Sequence, residues 1–259
     1  MHWLAQLMRR RALHPVWERL HRMSLIGMNY WSSELFATGE LDALRYIAQR
    51  LDKVARPVVF DVGANVGSYS VACLRAFQNR CQLHAFEPSG ATFGKLRSNS
   101  ALSGDGVYLH QCAMSDHDGT AILHTSEAGS SIASLEQLDR PVRPFDRRLD
   151  ETVELRTLDG FCLDEGIDEI DLLKLDIEGH ELSALRGAKG MVRDGKIRFL
   201  QFEFGENNVS SRTYLADFNK ILGDRFNLFR IVPGGPLPWR YQGSRSEIFA
   251  TMNYLAERK

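Results

Sequence analysis

The sequence contains few cysteines and no long uninterrupted apolar run. Only four cysteines occur among 259 residues, and none forms a Cys-x-x-Cys pair or stands beside a histidine cluster. This spacing argues against a zinc site and against a disulfide framework, so we predict reduced, buried thiols in a cytoplasmic protein. No apolar run approaches the ~20 residues that a membrane-spanning helix requires.

A strong overall charge is also missing. The chain carries 32 basic and 33 acidic residues, for a net charge of −1 at pH 7. Such a balance argues against a surface that binds nucleic acid over its whole extent, and nucleic acid is not an expected partner. The exception is the segment 1–30, which holds five arginines against Glu18 and leaves the rest of the chain at about −5.

Two interpretations of this basic segment are open. Apolar residues recur at helical spacing from Trp3 to Met8, and Pro15 suits the first turn of a second helix. Such a pattern is common in a terminal helix that docks on a domain and leaves a basic edge in solvent, and we favour that interpretation. The alternative is a functional segment, either through weak contact of residues 1–23 with a membrane surface or as a clamp on an anionic substrate.

Strand and helix patterns alternate along most of the chain. We predict strands at 58–62, 82–86, 107–112, 120–124, 153–156, 170–176, 197–204, 227–232 and 247–254. We predict helices at 34–52, 69–78, 92–102, 158–166, 179–185 and 213–222, an exposed lid at 126–150 and a rigid loop at 233–238. The successive β-α-β units favour an α/β fold with a doubly wound, mostly parallel sheet. The predicted domain covers residues 53–259, after a helical extension at 1–52.

The stretch from Val58 to Ser70 organises this pattern. It begins as an apolar strand, turns through Gly63 and Gly67, and continues as a helix, which is the arrangement that brings a ligand to a helix N-terminus. The spacing is Gly-x-x-x-Gly, so the dinucleotide fingerprint Gly-x-Gly-x-x-Gly is absent. Glu87 ends the next strand, where a carboxylate can accept hydrogen bonds from ribose hydroxyls. A nucleoside without a pyrophosphate, such as S-adenosylmethionine, fits both features.

Polar residues end the other predicted strands as well. Ligands of open α/β sheets bind beyond the carboxyl ends of the strands. The residues at these ends are Asp61, Glu87, Ser115, Asp116, Asp176, Glu178 and Glu203. Each alone could be a helix cap, but their common edge predicts a binding site.

Three motifs resemble the FkbM-type methyltransferase family, and the resemblance spans about residues 56–255. They are Phe60-Asp61-Val62-Gly63-Ala64-Asn65-Val66-Gly67, Phe86-Glu87-Pro88, and Asp171-Leu172-Leu173-Lys174-Leu175-Asp176-Ile177-Glu178-Gly179-His180-Glu181. The resemblance implies a class I, Rossmann-like methyltransferase fold, with a seven-stranded sheet whose last strand is antiparallel. It also implies S-adenosylmethionine as methyl donor and a hydroxyl of a sugar, polyketide or similar metabolite as acceptor.

The resemblance also implies roles for individual residues in donor binding. The expected donor-binding residues are Asp61, Gly63, Asn65, Gly67, Ser70, Glu87, Pro88, Ser115 and Asp116. Those of the glycine turn would shape the pocket for the methionine part, with Asn65 in place of a glycine. Glu87 would bind the ribose hydroxyls, while Ser115 and Asp116 would flank the adenine.

The catalytic group is less sharply defined by the sequence. The acceptor hydroxyl must lose a proton, so a base or a metal is expected. Asp176 is the first candidate base and His180 the second, and Lys174 would orient Asp176 from the same sheet face. Alternatively, Asp176, Glu203 and Asn207 form an oxygen-rich set that could hold Mg²⁺.

Three functional hypotheses remain at this point. The first is an O-methyltransferase acting on a small molecule or glycan, with Trp31, Trp239 and Tyr241 as candidate stacking platforms. The second is an RNA 2′-O-methyltransferase, with Asp176, Lys196 and Glu203 in a lysine–acid set and with arginine-rich segments at 9–11 and 140–148. The third is a non-catalytic module that binds S-adenosylmethionine or a nicotinamide cofactor.

Overall fold

The computed structural model describes residues 8–31, 35, 37–125, 133–135 and 149–259. Most of the predicted lid, the arginine-rich segment 140–148 and residues 1–7 lie outside the described residues. The strands are β1 (Val58–Val62), β2 (Gln82–Phe86), β3 (Val107–His110), β4 (Ala113–Met114), β5 (Gly119–Thr125), β6 (Ala133–Ser134), β7 (Leu149–Arg156), β8 (Ile170–Leu175), β9 (Ile197–Phe204), β10 (Phe226–Val232), β11 (Gly235–Trp239) and β12 (Met252–Arg258).

The helices fill the connections between these strands. They are α1 (His14–Gly27), α2 (Glu40–Arg50), α3 (Ser68–Ala76), α4 (Gly90–Arg97), α5 (Leu158–Asp164), α6 (Glu181–Arg186), α7 (Lys189–Arg193), α8 (Asn207–Ser210) and α9 (Leu215–Leu222). Among the helices of the described ranges, none combines the length and the apolar character needed to cross a bilayer.

The main sheet has eight strands in the order β11-β10-β12-β9-β8-β1-β2-β3. The five strands from β9 to β3 run parallel to one another. Strand β12 is antiparallel and lies between β9 and β10. The predicted α/β class, the mostly parallel sheet and the antiparallel last strand are therefore confirmed. The sheet has eight strands instead of the seven that the resemblance implies, because β11 adds a strand at the edge beside β10.

Helices cover both faces of this sheet and bury two apolar clusters. Every residue of the central strand β8 is buried, as expected for a strand with packing on both sides. One cluster joins the sheet to α2 and α3 through residues such as Ile47 and Cys73. The other joins it to α5, α6 and α9 through residues such as Phe161 and Phe218. This rigid centre fixes the positions of the loops that follow β1, β2, β8 and β9.

A second, smaller sheet stands beside the main one, in the order β4-β7-β5-β6. Its longest ladder pairs β5 and β7 over seven residues each, from Gly119 opposite Leu155 to Thr125 opposite Leu149. The strand predicted at 153–156 is thus longer and begins at Leu149. The predicted lid segment therefore follows the end of β5 and overlaps the first two residues of β7.

Two predicted helices have different boundaries. The helix predicted at 34–52 begins only at Glu40, because Gly39 has a φ of +88° and a Cβ there would lie 2.1 Å from the carbonyl oxygen of Val232. The helix predicted at 92–102 is divided into α4 and a short turn, Ser100–Leu102, because the Asn99 side chain accepts the N–H of Ala101.

The C-terminal region departs most from the predictions. The strand predicted at 247–254 begins only at Met252, because the Glu247 carboxylate accepts the N–H groups of Leu215 and Ala216 at 2.8 and 2.9 Å and caps α9. The loop predicted at 233–238 is wrong, since most of it forms β11, an edge strand paired only with β10. An edge position tolerates prolines, which lack a donor for a further neighbour.

The predicted docking of the N-terminal helix holds only at its end. Of the residues in α1, only Leu25 is buried. Tyr30, just beyond the helix, is also buried, and Asn29 donates its side-chain N–H groups to the carbonyl oxygens of Thr38 and Ile231. The rest of α1 therefore stands in solvent, in contrast to a docked amphipathic helix.

Candidate active site

Loops at the carboxyl ends of β1, β2, β8 and β9 surround a cavity of about 670 Å³. A volume of this size is typical of small-molecule sites. The wall includes nine of the predicted site residues: Gly63, Asn65, Glu87, Pro88, Lys174, Asp176, His180, Glu203 and Asn207. The fold thus brings residues from four strand ends to one cavity, as the parallel sheet requires.

The turn after β1 forms one wall mainly with backbone. The N–H groups of Gly63 and Ala64 donate to the carbonyl oxygen of Phe86 at 3.0 and 2.9 Å. Gly63 has a φ of +85°, and a Cβ there would lie 1.9 Å from the carbonyl oxygen of Asp176. Asn65 has a φ of +50°, a conformation that asparagine tolerates better than most residues. The turn therefore needs glycine at position 63 to close against the loop after β8.

Glu87 is held at the tip of β2 by the same turn. Its carboxylate accepts the N–H of Asn65 at 3.1 Å and the N–H of Ser89 at 3.0 Å. Burial raises the pKa of Glu87 to about 7, although both N–H donors oppose the rise. A buried carboxyl group with this pKa can change its ionisation when a ligand with hydroxyl groups arrives.

Three of the remaining residues predicted for donor binding support the turn from behind the wall. Asp61 is fully buried and accepts the Ser70 hydroxyl at 2.6 Å. Gly67 has a φ of +91° and precedes α3, where a Cβ would lie 2.6 Å from Leu102. These residues fix the shape of the turn, and their direct contact with a ligand stays a prediction.

The predicted adenine-side residues also lie beside the wall. The Ser115 hydroxyl is 3.0 Å from Nε2 of His180, and the exposed carboxylate of Asp116 pairs with His117 at 2.7 Å. Ala113 and Met114, which precede them directly, line the cavity. The roles of Ser115 and Asp116 at the adenine therefore stay predictions, and the sequence reasoning missed the two wall residues.

Lys174 and Asp176 form the centre of the site. Nζ of Lys174 lies 3.0 Å from Oδ2 of Asp176 and 3.5 Å from Oδ1 of Asp61. It also lies 4.8 Å from the centre of the Tyr69 ring. Burial alone would lower the pKa of Lys174, but the nearby carboxylates outweigh it and raise the pKa above its usual range. The charge pair with Asp176 and Asp61 therefore favours the cationic form of Lys174, and its role in orienting Asp176 stays a prediction.

The loop after β8 is held in a strained conformation. Glu178 has a φ of +56° and Gly179 a φ of +101°. Oε1 of Glu181 accepts the N–H groups of Ile177 at 2.9 Å and Gly179 at 3.1 Å. The Glu178 carboxylate contacts the side-chain amide of Asn207. Strain of this kind persists where surrounding contacts enforce it, often at functional sites.

The cavity carries an excess of acidic groups. Among the described residues of the wall, the acidic ones are Glu40, Glu87, Asp176, Glu178 and Glu203, and the only lysine or arginine is Lys174. The pKa of Glu203 is well above its usual value because of burial and the neighbouring carboxylates of Asp176, Glu178 and Glu181. Such a cavity favours a ligand with positive charge.

Glu40 is a site residue that sequence reasoning missed. Oε1 of Glu40 accepts the Gln201 amide at 2.7 Å, and the Gln201 carbonyl accepts the Tyr69 hydroxyl at 2.8 Å. Burial raises the pKa of Glu40. Helix α2 carries Glu40 into the cavity from a part of the chain that precedes every motif, so no sequence spacing pointed to it.

The structure gives the Mg²⁺ prediction no support. Asp176, Glu203 and Asn207 share the cavity, but the Lys174 ammonium already occupies Oδ2 of Asp176. Within the described ranges, no group of three or more His, Cys, Asp and Glu side chains is arranged to hold a metal ion. The set does not fit a metal, and we derive no chemistry from one.

The RNA hypothesis requires Asp176, Lys196 and Glu203 to lie together, and the structure places Lys196 apart from Asp176. Lys196 immediately precedes β9, and its carbonyl oxygen accepts the N–H of Ile170, the first residue of β8. It therefore lies at the amino end of the sheet, whereas Asp176 follows the carboxyl end of β8. The length of β8 separates the two by roughly 20 Å. The placement of Lys196 in that set is wrong.

Comparison with known proteins gives a family match. A model described as "Methyltransferase FkbM domain" matches residues 61–230. The matched segment begins at the end of β1 and ends within β10, so it contains β2, β8, β9 and the loops of the cavity wall that follow them.

Several curated proteins match part of this chain. The 2-O-methyltransferase NoeI of Sinorhizobium fredii is 30% identical over 182 residues, which are 66% of this chain and 72% of NoeI. The hexuronic acid methyltransferase AglP of Haloferax volcanii is 24% identical over 58% of this chain and 56% of AglP. The 31-O-demethyl-FK506 methyltransferase FkbM of Streptomyces tacrolimicus is 30% identical over 51% of this chain and 59% of its own length. The chain thus spans little more than half of the last two relatives.

Solved structures share only a distant similarity. A putative O-methyltransferase from Klebsiella pneumoniae aligns over 100% of this chain and 95% of its own, with 13% identity and a TM-score of 0.44. This score supports no functional argument.

Proposed function

The chain belongs to the FkbM methyltransferase family, and from this membership we propose that its cavity binds S-adenosylmethionine and methylates a hydroxyl group of a glycan or similar small metabolite. The observation that carries the proposal is the placement of Glu87 and the Gly63 turn in one cavity with the Lys174–Asp176 pair. Glu87 and the Gly63 turn would bind the donor, and the Lys174–Asp176 pair would face the acceptor hydroxyl.

On the donor side, the Glu87 carboxylate would accept hydrogen bonds from the two ribose hydroxyls. The Gly63 turn would present its backbone to the ligand, because glycine at this position lets the turn close against the loop after β8. The acidic groups of the wall would balance the positive charges of the sulfonium and the amino group. When bound, S-adenosylmethionine would supply an electrophilic methyl group on sulfur.

On the acceptor side, Asp176 would receive the proton of the attacking hydroxyl. Lys174 engages Oδ2 of Asp176, so Oδ1 would take the proton of the acceptor. Lys174 holds this carboxylate in place, so the hydroxyl oxygen can be aligned with the methyl carbon for in-line displacement. The donor would give up its methyl group to the hydroxyl oxygen and leave with the electron pair of the sulfur–carbon bond, while Asp176 would take the hydroxyl proton.

A transfer assay with methyl-labelled S-adenosylmethionine tests this proposal. We expect label to appear as a methyl ether on members of a panel of sugars, uronic acids and polyhydroxylated metabolites. Label in RNA that depends on Asp176 would instead favour the RNA 2′-O-methyltransferase. The absence of any transfer despite donor binding would favour a non-catalytic module.

Of the predicted platforms Trp31, Trp239 and Tyr241, Trp31 is the one that bonds to a described residue of the cavity wall. It is 43% exposed, its N–H donates to the carbonyl oxygen of Thr251 at 2.9 Å, and its Nε1 donates to Glu206 at 3.2 Å. Thr251 and Asn207, the neighbour of Glu206, both line the cavity. Trp31 has a φ of +62°, which is rare for a bulky side chain and indicates that its contacts hold it there.

We expect Trp31→Ala to raise the KM for the acceptor about fivefold, since one aromatic contact contributes about 1 kcal/mol beyond buried area. The Kd of the donor should stay constant in calorimetry. Trp31→Phe keeps a ring and should recover most of the loss. An unchanged acceptor KM in Trp31→Ala would remove this residue from the acceptor site.

The pKa of Glu87 also predicts how donor affinity depends on pH. Ribose hydroxyls donate hydrogen bonds, so they bind the ionised carboxylate more strongly than the protonated carboxyl group. Because the free carboxyl has a pKa of about 7, binding at lower pH must first remove a proton. The affinity for S-adenosylhomocysteine should therefore fall by up to about tenfold per pH unit below 7 and level off above it.

Glu87→Gln is the matched control for this pH dependence, since it cannot ionise. The affinity of both proteins for S-adenosylhomocysteine is measured between pH 5 and 8. The difference between the two pH profiles removes the contribution of ionisations of the ligand and of other groups. The slope should be present in the unsubstituted protein and reduced in Glu87→Gln. Equal slopes would show that Glu87 does not control the affinity.

A further inference from the structure

We propose that α1 is a membrane-binding helix that lies on an anionic lipid surface with its apolar face toward the lipid. This inference is independent of the proposed reaction. It starts from the finding that α1 is mostly undocked, although its sequence has the pattern of a helix with one apolar face.

The apolar face of α1 is open to solvent. Leu13, Val16, Trp17, Leu20 and Met23 recur at intervals of three or four residues, which places them on one side of the helix. All five are exposed, and Met23 is 66% exposed. Single exposed apolar residues are common, but a row of five on one helix face marks an interaction surface.

Basic side chains stand beside and opposite this face: with 3.6 residues per turn, Arg19 lies about a quarter turn from its centre and Arg22 near the opposite side. Arg9, Arg10 and Arg11 precede the helix, and Arg19 and Arg22 lie within it, all of them exposed. Arginine side chains can extend toward lipid phosphates while the apolar residues enter the boundary of the acyl chains. Each such cation near an anionic membrane surface adds about 1 kcal/mol to binding. The rest of the chain carries about −5, so the attraction is concentrated at this helix.

The same charges disfavour a second copy of this chain as the occupant. In a twofold symmetric pair, the α1 face would meet its own copy. The arginines of one helix would then lie beside those of the other, with only Glu18 in each as a counter-charge. An anionic lipid surface can bury the apolar face and also pair its phosphates with the arginines.

The end of α1 connects this surface to the cavity. Leu25 and Tyr30 are buried in the main core, and Trp31 bonds to Thr251 in the cavity wall. Only residues 28–30 separate the helix from the candidate acceptor platform, Trp31. A membrane-bound α1 would therefore keep the cavity close to the lipid surface.

Vesicle flotation with the full chain tests the proposal. One set of vesicles contains only phosphatidylcholine, and the other contains phosphatidylcholine with phosphatidylglycerol. We expect binding to the second set at low salt, with a clear loss at high salt because the charges are screened. The double variants Leu20→Glu with Met23→Glu, and Arg19→Glu with Arg22→Glu, should each lower the partition coefficient at least about tenfold.

Matched controls stand elsewhere on the surface. Leu163 is 81% exposed near the end of α5, and Lys189 is exposed in α7. Leu163→Glu and Lys189→Glu should leave vesicle binding unchanged. Circular dichroism and the affinity for S-adenosylhomocysteine should be the same in all variants, which shows that the fold and the cavity are intact.

Three outcomes would overturn the proposal. The first is no binding to anionic vesicles at low salt. The second is binding that the α1 variants keep or that the controls lose equally. The third is a dimer in light scattering that the α1 variants dissociate, without vesicle binding, since this would make a second copy the occupant of the face.

Discussion

Asp176→Asn is expected to lower kcat by about 10²–10⁴-fold, which is the range that a general base contributes. The amide keeps the size of the side chain but cannot take the proton of the acceptor hydroxyl. The Kd of the donor should change by no more than about threefold, because Glu87 and the Gly63 turn remain in place. Single-turnover transfer and calorimetry on the same preparation measure the two quantities separately.

The structure provides two comparisons for this variant. Asp168→Asn alters an exposed carboxylate near the amino end of β8 and should leave kcat unchanged. His180→Gln tests the second candidate base, whose Nε2 already lies 3.0 Å from the Ser115 hydroxyl. If Asp176→Asn retains wild-type kcat and His180→Gln abolishes turnover, the base is His180 and our assignment is wrong.

Glu87→Ala should weaken donor binding by about ten- to a hundredfold. Hydrogen bonds to a charged group contribute about 1.5–3 kcal/mol each, and tenfold in Kd corresponds to about 1.4 kcal/mol. Part of the loss would come from the turn itself, since the Glu87 carboxylate also holds the N–H groups of Asn65 and Ser89. Calorimetry with S-adenosylhomocysteine measures the change.

Two further variants separate these contributions. Glu87→Gln keeps an acceptor for one N–H and should bind the donor with intermediate affinity. Glu154→Ala removes an exposed carboxylate from β7 and should have no effect. If Glu87→Ala folds with an unchanged thermal midpoint and binds the donor as tightly as the original protein, Glu87 has no role at the ribose.

The parts of the site that the sequence predicted well depend on short spacings. The Gly63 turn, Glu87 and the Asp176 loop each follow a strand that the apolar pattern identifies. Once the strands are parallel, their ends must meet at one edge, so the cavity follows from the fold class. The register of β1 against β8 then places Asp61 opposite Lys174, which explains the ion pair.

The parts that the sequence did not predict depend on tertiary contacts. Glu40 reaches the cavity only because α2 packs on the sheet, and Gln201 then links it to Tyr69. The sequence pattern places Glu247 in a strand, but its carboxylate instead caps the N-terminus of α9. The apolar face of α1 has the periodicity of a docked helix, and periodicity alone cannot tell which partner covers such a face.

Calorimetric titration of the cavity with S-adenosylhomocysteine and, separately, with NAD⁺ tests the central claim most directly. The account predicts one site for S-adenosylhomocysteine, with affinity that falls in Glu87→Ala, and no binding of NAD⁺, because the Gly63 turn lacks the spacing for a pyrophosphate. Binding of NAD⁺ without binding of S-adenosylhomocysteine would contradict it.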